Sequence, residues 1–460
     1  MRSTPSTLLA PGLLAWLGLW LCRPNPWFDG HPGLAVLGVA CLVILARRSL
    51  AAAAVVLFAG HAAVLTWIVT ALWTPIGPTR ATIAWIVAAA FASLFAWLAL
   101  AAARRCTRHG VAWIAVLPPA WILGEVVRAE LPYGFDWPSL GYAVAGTPLA
   151  PSLGLLGVHG AAGLLVALAC LISTLLTRRF GPTEHRAAIV VALLLAASVL
   201  LPRAPVVRPP LRIALIQTDD HDLAWTEQLP EHLLQQVDLV VGPEGLLKDP
   251  DISPFRGAAL ISGSVCPVHG PCRANRVDHR DATGTLIRTR NKSILVPWYE
   301  IEFLAGFANR LPPAESFRVA DIRIATSICY EIAHTGAMRA ALADDPEVLL
   351  NPTSDLWQDT DLAARQQMAI ARARAAEFGI PVVRASNRYH SSVFSLTGTE
   401  LFTSGPAPAQ TIFVTTVTPT PPRTPRGRFP LAMELLLAAA CLTFLFIQVR
   451  NIASGSKPSS

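Results

Sequence analysis

A carboxylate, an ammonium and a thiol stand in three separate stretches of one polar segment. They are Glu244 in Val-Gly-Pro-Glu-Gly, Lys292 in Asn-Lys-Ser-Ile-Leu-Val-Pro and Cys329 in Ser-Ile-Cys-Tyr-Glu. Together they are the parts that make a thiolate, form an acyl-enzyme and stabilise its tetrahedral intermediate. A cysteine is a good nucleophile only as thiolate, and a nearby ammonium and a helix start both lower its pKa. A carboxylate can take the thiol proton and later accept the one lost by an attacking amine. Lys292 is the most informative of the three: Lys and Arg total 37, yet the lysines are Lys248, Lys292 and Lys457 alone. A compact ammonium of tunable pKa is a physical reason to keep a lysine in a chain so committed to Arg. A cysteine in an apolar run, taken alone, reads as a small core residue; the pairing with Glu244 and Lys292, and its turn position, reverse that reading.

These residues need rigid elements behind them. Leu211–Gln217 reads as an opening strand, and 237–241 is a short apolar run ending in Gly-Pro-Glu, as a buried strand delivering Glu244 at its C-terminal end. Further strands are expected at 258–264, 285–296 (with Lys292 near its end), 322–328, 348–351, 381–384, 392–396 and 400–402. A helical stretch at 331–342 puts Cys329 at a strand-to-helix turn, where helix-start N–H groups favour a thiolate. A longer helix is expected over 359–378, with Arg372, Arg374 and Glu377 within a turn of one another as a structural ion-pair network. His334 and His390 read as surface residues. Alternating strands and helices make this an α/β domain whose sheet ends carry the chemistry, and a Pro/Thr-rich tether follows at 418–430.

The rest of the chain is different in kind. Of its 460 residues 53% are hydrophobic and 15% charged, too apolar for an ordinary soluble enzyme. Seven apolar stretches precede residue 204, at 6–22, 32–46, 49–75, 82–103, 111–127, 150–177 and 187–202, and an eighth follows at 430–449. The first is expected to be retained as a helix, not cleaved as a signal peptide. With the N-terminus in the cytoplasm and eight crossings, the inside positions hold Arg47, Arg48, Arg104, Arg105, Arg108, Arg178, Arg179, Arg186 and Arg450. The short outside loops hold Arg23, Arg80 and Arg128. This places the polar segment outside the cytoplasm. The expected organisation is therefore a transmembrane domain at 1–204, an extracytoplasmic α/β domain at 205–420, and a tether, last span and tail at 421–460.

The net charge of +7 is then mostly a topology signal, and no Lys/Arg cluster of the kind that binds nucleic acid is visible. Of eight cysteines, Cys266, Cys272 and Cys329 lie in the exported segment. Cys266 and Cys272 flank a turn-rich link whose spacing permits a disulfide; a metal site with His269 is the weaker alternative. No metal and no cofactor are expected.

Beyond these individual readings, the stretches around Glu244, Lys292 and Cys329 resemble the Glu–Lys–Cys triad of the nitrilase superfamily of carbon–nitrogen hydrolases. Seven preceding helices and one trailing helix resemble its membrane branch, the apolipoprotein N-acyltransferases. Trp121-Ile-Leu-Gly-Glu125, Arg128, Gly134-Phe-Asp-Trp137 and Leu140-Gly-Tyr142 are similar to that family's loop before helix six. Asn351, Asp355 and Trp357 are similar to its Asn-Asp-Ala-Trp stretch, and Arg372 to Glu377 to its Arg-x-Arg-Ala-x-Glu helix. The resemblance implies a nitrilase-like αββα sandwich joined to a multi-pass helical membrane domain in the bacterial inner membrane, with the sandwich on the periplasmic side. It implies Glu244 as general base, Lys292 as the ammonium at the oxyanion and Cys329 as nucleophile, with Glu300, Tyr330 and Glu331 as substrate or oxyanion support. It also implies a phospholipid acyl donor, a diacylated apolipoprotein acceptor and a monomeric enzyme.

The sequence departs from the family pattern at Gly242, where a Trp usually precedes Pro-Glu, and at Trp298-Tyr299, which replace Phe-Gly. Asn387-Arg388-Tyr389-His390 replaces an Asn-Thr-Gly turn. These changes leave the triad intact and bear on the amine acceptor. Besides lipoprotein N-acylation, the sequence is compatible with a membrane-tethered amidase or an N-acyltransferase with a different amine acceptor. A third reading is a non-catalytic membrane protein that binds lipid or lipoprotein.

Overall fold

The computed structural model describes residues 6–131, 134–178, 180–200, 208–218, 231–247, 257–265, 275–296, 316–356, 358, 360–405 and 410–453. The chain divides into two compact units: a helical one of residues 1–70, 77–202 and 429–460, and one of residues 71–76 and 203–428 that holds the sheets.

The helical unit contains α1 (Ser6–Leu21), α2 (Pro32–Arg48), α3 (Leu50–Val64), the start of α4 (Thr66–Ile76), α5 (Pro78–Thr107), α6 (Trp113–Glu130), α7 (Pro151–Leu176) and α8 (Pro182–Leu200). Each apolar stretch expected before residue 204 is helical over its described residues, but the one at 49–75 is broken into α3 and α4, bent by 57°. Among the described residues three helices are long and apolar enough to cross a membrane, α5, α7 and α8, or four if the bent pair counts as one span. Buried polar groups tie the helices together. Glu125 accepts from Trp121 Nε1 at 3.1 Å, and from Ser139 Oγ and Leu140 N. Asp136 lies 3.0 Å from His159 Nε2 and 3.7 Å from Arg128. Arg23 donates to the carbonyls of Trp137 and Ser139. Arg23 and Arg128, read from sequence as loop charges that mark topology, are thus buried structural groups: Arg23 hydrogen-bonds two carbonyls, and Arg128 lies within ion-pair range of Asp136 and Glu125.

The second unit is built on two six-stranded mixed sheets. The first holds β1 (Leu211–Gln217), β2 (Leu239–Val241), β3 (Ala259–Val265), β4 (Asn275–Arg280), β5 (Leu286–Asn291) and β12 (Thr411–Val417), in the order β12-β1-β2-β3-β4-β5. The second holds β6 (Phe317–Val319), β7 (Ile322–Thr326), β8 (Val348–Thr353), β9 (Val382–Ser386), β10 (Ser392–Phe394) and β11 (Glu400–Thr403), in the order β11-β10-β9-β8-β7-β6. In each sheet three strands run parallel, β1-β2-β3 and β7-β8-β9, with antiparallel strands outside them. The sheets meet where β1 approaches β9 and β3 approaches β8.

Short helix α9 (Glu231–Leu234) covers the first sheet, with Leu234 packed among Ala214, Ile216, Val240 and Leu260. α10 (Thr335–Ala341) packs beside the 3-10 turn at Cys329–Ala333, and α11 (Leu362–Phe378) lies on the second sheet against β9. The layers therefore run helix, sheet, sheet, helix. The buried parallel strands were legible as continuous apolar runs. β4 was not, because Asp278, His279 and Arg280 are polar yet buried; Asp278 is satisfied by Ser264, Arg276 and Thr289.

The Pro/Thr-rich segment is packed onto this unit. Thr420 N–H donates to Glu347 O at 2.8 Å, and α12 (Pro425–Arg428) buries Arg426 within 3.5 Å of Glu377 before α13 (Pro430–Ala453) begins. A tether composition was overridden here by backbone hydrogen bonds and one buried ion pair.

Candidate active site

Glu244 sits in the turn that follows β2, buried to 5% exposure. The parallel strands end there in Gly-Pro, which stops the ladder and swings the carboxylate off the sheet end. Its Oε1 accepts from Lys292 Nζ at 2.9 Å and from Asn275 Nδ2, and its Oε2 accepts from the backbone N–H of Ser354 at 2.9 Å. Both oxygens are therefore occupied by donors from three different elements. Lys292, 3% exposed, begins the loop after β5, and its own N–H donates to Asn275 O at 2.7 Å.

The approach of the Glu244 turn to its sheet depends on Gly263 in β3. A Cβ there would fall against Glu244 Cα, 2.6 Å from Gly245 N and 2.7 Å from Pro243 O. All three are backbone atoms with little freedom to yield. Gly263→Ala is expected to displace the Glu244 turn, lowering stability by about 1–3 kcal/mol and any turnover that depends on Glu244 along with it. Thermal unfolding and turnover measured together check this; a variant unchanged in both would refute the packing argument. An isolated glycine within an apolar strand is a sequence signal for such an approach.

Cys329 lies at the start of a 3-10 helix, Cys329–Ala333, directly after β7, and is buried. Its φ is +51°, the left-handed region that a side chain adopts at a cost of about 1–3 kcal/mol. Contacts on both sides hold it there. Asn351 Nδ2 donates to Ser327 O at 2.6 Å and to Cys329 O at 3.1 Å. From α11, Arg374 donates to Ile332 O at 3.0 Å and Ala333 O at 3.1 Å while pairing with Glu377 at 2.6 Å. The ion-pair network expected on this helix is present with Arg426 as a further member; Arg372 instead donates to Gly398 O.

Glu331, fully buried, bolts the cysteine turn to the lysine loop. One oxygen accepts from Ile328 N at 2.7 Å and Arg290 Nη1 at 2.8 Å; the other accepts from Ser293 N, Ser293 Oγ and Ile294 N. Burial opposes its ionisation, but the Arg290 guanidinium and the hydrogen bonds from Arg290 and Ser293 outweigh that and hold the carboxyl below the usual range. With both oxygens engaged by the scaffold, Glu331 is placed to position its neighbours. Tyr330 is buried beside it. Glu300, Trp298, Tyr299, Trp357, Cys266, His269 and Cys272 lie outside the described residues. Among the described residues no group of His, Cys, Asp and Glu could hold a metal ion.

The fold thus brings Glu244 and Lys292 into contact and ties the Cys329 turn to both of their loops, through Glu331–Ser293 on one side and Asn351 to Ser354 on the other. Asn275, Arg290, Ser293 and Ser354 were not singled out from sequence. They are polar residues in polar stretches, and no spacing marks them.

Two of the departures from the family pattern are built into packing. A Cβ on Gly242 would lie 2.7 Å from Leu246 Cδ2 and 2.8 Å from Ser262 Cβ, so the direction a larger side chain would take is filled. The segment 387–390 is anchored throughout: Asn387 Oδ1 accepts from Asp355 N, Tyr389 OH donates to Gln358 O, and Gln217 Nε2 donates to Arg388 O. His390, expected at the surface, is half-buried between Ser404 O, 2.9 Å away, and Asp361. Below it Asp355 pairs with the buried Arg384 at 2.8 Å.

Sequence comparison agrees with both units. The apolipoprotein N-acyltransferase N-terminal domain matches residues 12–172, and the carbon-nitrogen hydrolase domain matches residues 272–417. An apolipoprotein N-acyltransferase of Bordetella bronchiseptica is 31% identical over 381 residues, covering 65% of this chain and 69% of that protein. One of Ralstonia nicotianae is 29% identical over 422 residues, covering 79% of each. Among solved structures, an amidase from Nesterenkonia sp. aligns with a TM-score of 0.37 at 21% identity, covering 47% of this chain and 94% of that one. With a helical unit and a two-sheet unit each matched by its own half of one family's architecture, the chain belongs to the apolipoprotein N-acyltransferase family.

Proposed function

We propose that this protein transfers an acyl chain from a phospholipid to the N-terminal α-amine of a diacylglyceryl-modified lipoprotein, through a thioester on Cys329. The observation that carries this reading is the family relationship across both halves of the chain. The buried Glu244–Lys292 contact beside the strained cysteine turn supports the residue roles.

In the first step Glu244 accepts the thiol proton and the Cys329 sulfur attacks the carbonyl carbon of the sn-1 ester. The C–S bond forms, the carbonyl oxygen takes the negative charge beside the Lys292 ammonium, and the C–O bond then breaks. The departing alkoxide takes the proton back from Glu244 and leaves as lysophospholipid. In the second step the acceptor's α-amine, whose ordinary pKa of about 7.7–8.0 leaves an appreciable free fraction near neutrality, attacks the thioester. Its proton passes to Glu244, the C–S bond breaks and the thiol is restored. Excluding water from the site protects the thioester from hydrolysis. Tyr330 and Glu331 act by holding the turn, and Glu300 as a further supporting carboxylate.

The same reading takes the chain as eight spans, α1, α2, the α3–α4 pair, α5 to α8 and α13, divided at 1–204, 205–420 and 421–460. The catalytic unit then stands on the periplasmic side of the inner membrane, and the enzyme acts as a monomer. The Arg distribution supports this orientation, and two lipidated substrates give a reason for a membrane-held site.

Expression in a strain lacking lipoprotein N-acylation is expected to convert lipoprotein N-terminal peptides from the diacyl to the triacyl mass. Diacyl-only peptides from well-expressed protein that still forms lysophospholipid would redirect the reading to another amine acceptor. The packed residues at Gly242 and 387–390 are where that difference would reside.

A further inference from the structure

At the Arg-rich ends of its helices, the helical unit encloses an open cavity of about 870 Å³. Its wall brings together the ends of α2, α5 and α7 with the starts of α6 and α8. Arg47, Arg48, Arg104 and Arg108 line it, with Glu184 as the one carboxylate among the lining residues. Four arginines thus share this wall with one carboxylate, which is itself held by the Gly181 N–H at 3.0 Å. None of these residues belongs to the sheet-bearing unit.

We propose that this cavity is a binding site for a phosphate group, carried by an anionic phospholipid headgroup or by soluble phosphate, separate from the acyl-transfer site. Three observations lead there. Arg47 is held in place in advance: it donates to Thr177 Oγ1 at 3.2 Å and lies 5.6 Å over the Trp113 ring. A guanidinium so fixed loses little freedom on binding, and its planar fork matches phosphate oxygens. The start of α6 at Trp113 has no side-chain cap, so its first N–H groups and the positive end of its dipole meet the same wall. Lastly, the site lies at the ends of apolar helices beside a buried tryptophan, the level at which headgroups sit. Arginines that serve only to orient a chain in the membrane need none of this arrangement.

The test uses the full chain in phosphatidylcholine nanodiscs, with and without phosphatidylglycerol, and compares two double variants of equal charge loss. Arg104→Gln with Arg108→Gln removes lining residues. Arg105→Gln with Arg186→Gln removes exposed arginines at the same helix ends that do not line the cavity. Unfolding without added ligand establishes that each variant is folded. Native mass spectrometry of retained phosphatidylglycerol is expected to show affinity weakened about 10- to 30-fold in the lining variant and less than about threefold in the control. Stabilisation by inorganic phosphate in phosphatidylcholine-only nanodiscs, with the same dependence on the lining residues, would identify the ligand as soluble phosphate and keep the site. Dependence on phosphatidylglycerol alone would identify the headgroup. Equal losses in the two variants, or no binding of either probe, would overturn the proposal.

Discussion

Replacing Cys329 by alanine is expected to abolish both release of lysophospholipid and acylation of the amine, by at least about 10⁴-fold, because in the proposed mechanism its thioester carries the acyl chain between donor and acceptor. Labelled phospholipid should leave no thioester on the protein. Glu244→Gln should produce a loss of similar order, and Lys292→Met as well. The double variants should be little worse than the singles if the three residues act as the one unit proposed. Lys292→Met has a structural consequence too: it removes the ammonium from a buried carboxylate that then keeps only its bonds to Asn275 and Ser354. Lysophospholipid release at parental rate from Cys329→Ala would refute the nucleophile assignment outright, and a thioester trapped on another cysteine would move it.

The second large effect concerns Glu331, which touches no reacting atom in the structure. Glu331→Gln leaves the buried Arg290 guanidinium without its counter-carboxylate, at a cost of about 3–5 kcal/mol. It also releases the turn that keeps Cys329 at positive φ, so turnover should fall together with stability. Its carboxyl is held below the ordinary glutamate value near 4.5. A depressed folded value means that its stabilising contribution is present above that ordinary value and is lost as pH falls toward and through the folded one. The parent should therefore lose stability on acidification through this window, and Glu331→Gln should lose correspondingly less. Pairing it with Arg290→Met, which removes the stranded charge, should recover part of the stability. Unfolding midpoints across the acid range measure both effects. An unaltered acid limb in Glu331→Gln would show that the ion pair contributes nothing.

Why the anchoring role of Glu331 was not legible in the sequence, while the singular place of Lys292 was, comes down to what a sequence can express. The scarcity of lysine isolates Lys292 by composition alone. Glu331 is one of thirty acidic residues, and its five donors come from segments 290–294 and 328, brought together only by the packing of two sheets. Asn275 is a plainer instance. It opens a strand of polar residues that no periodicity identifies, yet it touches both Glu244 and the Lys292 backbone. Gly263 lies between these cases: a glycine in an apolar strand announces a close approach, and the structure names Glu244 as what approaches.

By itself the sequence determined the division into apolar helices and a polar α/β segment and most of the strands, and it singled out Glu244, Lys292 and Cys329 as the residues proposed to carry the chemistry. These follow from hydrophobic period, turn residues and residue type, all local properties of the chain. Only the tertiary structure decided that Glu244 and Lys292 are in contact, that Cys329 is held in a strained turn by Asn351, Glu331 and Arg374, and that Arg23 and Arg128 are internal. It also decided that the Pro/Thr-rich segment is packed and that scattered arginines line one cavity. All but the last of these depend on burying polar groups where water is absent, which obliges them to find partners far away in sequence. Local pattern carries no record of which partner that will be.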